Sequence, residues 1–142
     1  YAAGRLDRNS EGLLLLTNDG RLQARIAEPK YGMRKTYWAQ VEGEVTAEQL
    51  QHLQRGVMLN DGLTQPAEVQ VMIELAVSER QPPTRYRAKI PTSWLSITEG
   101  RNREVRRMTA AEGLPTLRLI RVQIGPWRLG DLAPGQWREL KL

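Results

Sequence analysis

The chain has 142 residues, 40% of them hydrophobic, with 21 Lys+Arg against 16 Asp+Glu and no cysteine. That is enough chain for one domain with a sizeable core and too little for two ordinary ones, and it excludes a disulfide framework or a thiolate metal site. No apolar run approaches the roughly 20 residues of a membrane span and no signal segment is visible, which suits a cytoplasmic protein.

The charge is unevenly distributed. Residues 1–79 carry 8 Lys+Arg and 11 Asp+Glu, a balance of −3, whereas residues 80–142 carry 13 and 5, a balance of +8, and 11 of those 13 cations are Arg. Arg offers planar, bidentate donors for phosphate and can stack on bases, so a polyanion partner such as RNA is favoured for this half over a merely solvated basic surface.

In chain order, Gly4-Arg5-Leu6-Asp7-Arg8-Asn9-Ser10-Glu11-Gly12 is a turn rich in Gly, Arg and Ser. It runs into Leu13-Leu14-Leu15-Leu16, which reads as a buried strand, so the Asp7 carboxylate stands on a rigid support. On spacing alone, an Asp in a loop beside Arg is more often a turn cap or a surface ion pair than a catalytic group. Asn18 or Asp19 can cap a short helix carrying Leu22 and Ile26, ended by Pro29. Lys35 to Val41 alternates as a strand, with Tyr37, Ala39 and Val41 on one side and Thr36, Trp38 and Gln40 on the other.

Thr46-Ala47-Glu48-Gln49 has the shape of a capping box, and Leu50, Leu53 and Val57 supply an apolar helical stripe. His52, the single histidine, has no acidic or sulfur group at ligand spacing and reads as an ordinary helix residue. Asn60-Asp61-Gly62 marks a turn, Ala67 to Ile73 a strand, and Ser78 to Thr84 an exposed loop. Tyr86 to Ile90 and Trp94 to Thr98 read as further strands. Asn102 can cap a helix from about Arg103 to Glu112, with Val105, Met108 and Thr109 on one face and Arg103, Arg106 and Arg107 elsewhere, ended by Gly113 and Pro115. Leu117 to Ile124 is the last long strand. Single helices between hairpin-like strand pairs indicate an α+β domain with a mixed, mainly antiparallel sheet.

Three segments carry a resemblance. Gly4-Arg5-Leu6-Asp7 with Ser10-Glu11-Gly12-Leu13-Leu14-Leu15-Leu16-Thr17-Asn18-Asp19-Gly20, then Lys35-Thr36-Tyr37 with Val41-Glu42-Gly43, then Glu99-Gly100-Arg101-Asn102-Arg103-Glu104-Val105-Arg106-Arg107-Met108 occur in the order of the motifs of one family. They resemble the RsuA/RluB/RluE/RluF family of ribosomal RNA pseudouridine synthases. Tyr1-Ala2-Ala3 and Ile90-Pro91-Thr92-Ser93-Trp94-Leu95 are most similar to its RluE branch, and the tail from Leu119 to Leu140 matches the family's last strands.

The resemblance implies the pseudouridine synthase fold with an RNA cleft across the sheet, and isomerisation of a uridine already within RNA, here 23S ribosomal RNA. It implies no metal and no cofactor, and a monomer acting on ribosomal RNA. Asp7 matches the essential carboxylate, Tyr37 the aromatic residue beneath the uracil, and Arg106 the cation that keeps the carboxylate ionised. Arg5 resembles the residue that enters the RNA stack, and Arg101, Asn102, Arg103 and Arg107 fall where RNA contacts are expected. Two departures stand out: Glu104 occupies a position where relatives commonly have Gln, and the approach to Glu99 is about two residues short. Residues 1–142 are then expected to be a catalytic domain without its leading segment and without the N-terminal S4 domain common in the family. Two other classes fit parts of the pattern. A non-catalytic RNA-binding domain explains the arginines, and a glycoside hydrolase would use Glu11 or Asp19 as a second carboxylate.

Overall fold

A computed structural model describes residues 2–3, 10–28, 33–72, 91–99 and 105–140. Among them, β1 (Ala2–Ala3), β2 (Glu11–Gly12), β3 (Leu15–Leu16), α1 (Gly20–Ala27), β4 (Lys35–Glu42), α2 (Ala47–Arg55), β5 (Met58–Leu59), β6 (Gly62–Leu63), β7 (Glu68–Met72), β8 (Thr92–Glu99), α3 (Val105–Ala111), β9 (Thr116–Ile124) and β10 (Trp127–Arg128) follow in order. The main sheet runs β10-β9-β4-β8-β7 with antiparallel neighbours, and β2 adds to β9 as its parallel partner. The expected α+β class and mainly antiparallel sheet are what the chain adopts.

Alternation along β4 decides which face is covered. Tyr37, Ala39 and Val41 are buried, and their register partners Ile97 and Leu95 on β8 lie on the same face with Val69 of β7. Leu53 of α2 and Val105 and Met108 of α3 close that face into one core. The capping box at Thr46 is present, with Gln49 N donating to Thr46 Oγ1 at 3.1 Å and Thr46 N to Gln49 Oε1 at 2.9 Å. Asp19 caps α1 by accepting from Arg21 N and Leu22 N. His52 on α2 meets Glu112 Oε1 at 2.6 Å, an ordinary helix-surface contact. Thr109 is buried beside Val105 and Met108, as the helical periodicity requires.

The four-leucine run departs from the expected continuous buried strand. Leu13 and Leu15 are buried while Leu14 and Leu16 are exposed, and only Leu15 and Leu16 form a strand, β3 beside β1, while Leu13 and Leu14 link it to β2. The period of two inherent in extended chain sends alternate leucines to opposite sides, and only one side has a core to meet. That core is a second cluster, Leu13, Leu15, Ile26 and Ile124, with Leu22, Met33, Trp127 and Leu129 packed against it. The strand expected over Tyr86 to Ile90 and the loop over Ser78 to Thr84 lie outside the described residues.

β9 carries the sheet's irregularities. Its pairing with β4 shifts between Thr36 and Tyr37 and between Gln40 and Val41, where β9 spends an extra residue, Val122 and Leu117 respectively. Bulges of this kind re-aim side chains. Arg121 is thereby opposite Tyr37, and Arg118 opposite Gln40, so the two arginines stand on opposite faces of one strand.

Candidate active site

The described part of the candidate site centres on Tyr37. Its ring is 7% exposed, on the sheet face that α2 and α3 cover, and its partners across the sheet are Ile97 on one side and Arg121 on the other. Cross-strand partners sit on the same face with Cβ atoms about 5 Å apart, so a guanidinium and a phenol ring share this patch of sheet. Arg106 lies in the first turn of α3, half-buried, and its Nη1 donates to the Thr116 carbonyl at 3.4 Å. Arg107, one residue on, is exposed and donates to Asp61 Oδ1 at 2.6 Å. That hydrogen bond, first, holds the Asp61 carboxyl below its usual range. Val105, just before these two, is buried and pins the helix to the sheet. Arg5, Asp7, Arg101, Asn102, Arg103 and Glu104 lie outside the described residues.

The chain becomes described again at Ser10, and from there the signature is locked to β9. Glu11 and Gly12 pair with Ile120 and Arg121 in parallel register, Leu13 N donates to the Arg121 carbonyl at 2.8 Å, and Arg121 Nε donates to the Leu13 carbonyl at 2.9 Å. On the other face, Arg118 grips Glu11 with two bonds, Nε to Oε2 at 3.0 Å and Nη2 to Oε1 at 2.7 Å. Its guanidinium also lies 5.8 Å from the centre of the Trp94 ring. Gly12 makes the approach possible: a Cβ there would stand 2.2 Å from the Arg121 carbonyl oxygen, and its φ of 112° is one that L side chains rarely adopt.

Sequence reasoning missed Arg118, Arg121 and the role of Glu11. A signal existed, because an arginine in a strand buried on both faces needs an acceptor. What local pattern could not supply was the acceptor, since Glu11 is 107 positions away. The same geometry bears on the hydrolase alternative: Glu11 is held by a bidentate arginine on the face away from Tyr37, and Asp19 is an exposed helix cap.

A model of the RNA pseudouridylate synthase family matches residues 1–111, covering both the signature and the third motif. The chain belongs to the RNA pseudouridylate synthase family. Within that family, ribosomal large subunit pseudouridine synthase E of Vibrio vulnificus is 60% identical over 144 residues, which is all of this chain and 62% of that protein. The protein of the same name from Xanthomonas campestris pv. campestris is 59% identical over 142 residues, 97% of this chain and 75% of its own length. Ribosomal large subunit pseudouridine synthase B of Bacillus subtilis is 39% identical, over 99% of this chain and 53% of that one. The step from the E proteins to the B protein places the chain in the RsuA/RluB/RluE group, most like RluE. A solved pseudouridylate synthase superimposes with a TM-score of 0.82 at 29% identity, over 99% of this chain and 56% of that one, so the fold is the pseudouridine synthase fold. The chain spans about 60% of the length of the Vibrio relative. Among the described residues, no helix is long and apolar enough to cross a membrane.

Proposed function

We propose that residues 1–142 form a catalytic domain that isomerises uridine to pseudouridine in large-subunit ribosomal RNA, as a cytoplasmic monomer without metal or cofactor. The observation that carries this reading is that segments from all three motifs meet on one sheet. Tyr37 is buried in β4, Arg106 of α3 donates to the Thr116 carbonyl of β9, and β2, which follows Asp7 in the chain, pairs with β9 beside β4. The names of the 60% and 59% identical relatives support large-subunit ribosomal RNA as substrate.

In this reading Asp7 engages C1′ of the target nucleotide, as nucleophile or by stabilising oxocarbenium character, while the N1–C1′ bond breaks. The uracil turns within the site, C5 bonds to C1′, the C5 proton leaves and N1 gains one. A carboxylate in a closed cleft tends to protonate, so Arg106 keeps Asp7 ionised and aimed. Tyr37 lies beneath the base, where stacking contributes roughly 1–3 kcal/mol, and its hydroxyl assists removal of the C5 proton. Arg5 fills the stack left by the extruded nucleotide, recovering part of the flipping cost of a few kcal/mol. Arg101, Asn102 and Arg103 contact the backbone. Arg107 joins them by exchanging Asp61 for a phosphate, since an ion pair this open to water is weak and easily displaced.

The test is to incubate the domain with deproteinised ribosomal RNA and map new pseudouridines. Large-subunit RNA should gain them, and Asp7→Asn should gain none while folding and binding RNA normally. Pseudouridine formation by Asp7→Asn near the parent rate would remove Asp7 from the mechanism, and product confined to small-subunit or transfer RNA would overturn the substrate.

A further inference from the structure

We infer that Glu11 and Arg118 form a positioning pair for the reaction, fixing the strand that begins four residues after Asp7. This rests on the reading of Asp7 given above. The inference comes from three features of one short strand. β2 is only two residues long, Glu11–Gly12. So short a strand cannot define its own direction through ladder bonds alone. It is instead held from both faces by arginines of β9: Arg121 takes the Leu13 carbonyl at 2.9 Å, and Arg118 takes both oxygens of Glu11 at 3.0 and 2.7 Å.

The Glu11 end is the one nearer to Asp7 in the chain. Arg121 fixes the chain after Gly12, whereas Arg118 fixes Glu11, four positions after Asp7. A bidentate fork sets both the distance and the plane of the carboxylate, so it fixes orientation in a way a single bond does not. Arg118 is itself immobilised, its side chain only 8% exposed and its guanidinium against the Trp94 ring. Rotamer freedom at either end is therefore removed, which is how a supporting shell holds a reacting group to a fraction of an ångström. A misplacement of about 1 Å can lower a rate on the order of 10²-fold.

The experiment separates positioning from stability. Glu11→Gln, Arg118→Lys and Arg118→Gln are compared with the apolar double variant Glu11→Leu/Arg118→Leu, in which no unpaired charge remains buried and stability returns towards that of the parent. Each is measured for melting temperature, RNA affinity and single-turnover pseudouridine formation on ribosomal RNA, with Asp7→Asn as the reference for zero chemistry. The expected result is a rate about 10- to 100-fold below the parent for Glu11→Gln and Arg118→Gln, with RNA affinity within about threefold. The loss should be smaller for Arg118→Lys and should persist in the double variant although its melting temperature recovers. If the double variant regains both stability and the parent rate, the pair is structural only and the inference falls. If all variants lose RNA affinity in step with rate, the pair acts on binding and the inference also falls. If Asp7→Asn itself turns over normally, the proposed role of Asp7 fails instead, and the positioning role fails with it for that separately visible reason.

Discussion

Two arginine–carboxylate pairs hold two small strands to this domain at nearly the same distance and with unequal consequences. Arg118–Glu11 closes at 2.7 Å with side chains 8% and 29% exposed, while Arg107–Asp61 closes at 2.6 Å with side chains 48% and 68% exposed. Each anchors a two-residue strand, β2 in one case and the β5–β6 hairpin in the other. Both regions also depend on a glycine pressed against a carbonyl oxygen: an added Cβ would be 2.2 Å from Arg121 O at Gly12 and 2.5 Å from Thr64 O at Gly56. The lesson is that bond length says little about what a pair does. Burial makes the first costly to break from one side, and exposure leaves the second an interaction that salt or a phosphate can displace.

The comparison can be broken most forcefully at the glycines. Gly12→Ala must drive β2 off β9 and should lower stability by about 3 kcal/mol or more, from overpacking combined with an unfavourable φ. Pseudouridine formation should be lost with it, and denaturant unfolding together with RNA mapping checks both. Arg118→Ala comes next. It leaves Glu11 without its fork and should cost about 3 kcal/mol, the lower end for a broken buried pair because Glu11 is partly open to water. Equilibrium unfolding that shows a change under about 1 kcal/mol would mean the pair behaves like a surface one.

Gly56→Ala sharpens the contrast. It should lower stability by about 2–3 kcal/mol through the same kind of clash, yet leave the rate of the folded fraction near that of the parent, because it disturbs the hairpin and not β2. Asp61→Asn should have the smallest effect. The folded Asp61 carboxyl lies below its usual value of 3.8, so the stabilisation it gives is present above that pH and disappears as pH falls through the folded value. Thermal melts of parent and Asp61→Asn should therefore differ slightly at neutral pH and converge in acid, and the neutral-pH difference should shrink in high salt.

Much of this fold was legible because its signals are local. Alternation marked Lys35 to Val41 and Leu117 to Ile124, the Thr46–Gln49 box marked the start of α2, and the buried triplet of α3 followed from helical spacing. The leucine run misled because four identical apolar residues hide the period of two; nothing local says that Leu14 and Leu16 meet solvent. Tyr37 was found on the face expected of it. Arg118 and Arg121 fall within the strand expected from Leu117 to Ile124, but their partners, the Glu11 carboxylate and the Leu13 carbonyl, are brought to them by topology alone. Asp7, Arg5 and Arg101 to Arg103 keep the standing that the motifs give them, as they lie outside the described residues.

The parallel pairing of β2 with β9 also has a consequence in time. It joins positions 109 apart, and β9 begins only after the 111 residues that the family model spans. Closing so long a loop is slow compared with forming the β5–β6 hairpin or α2, so the signature is among the last parts of the domain to find its place. On the ribosome, the nascent chain carries all three motifs before it carries the strand that secures the first of them. A polypeptide released short of Thr116 would hold the recognisable residues of the family and have no means of putting them to use.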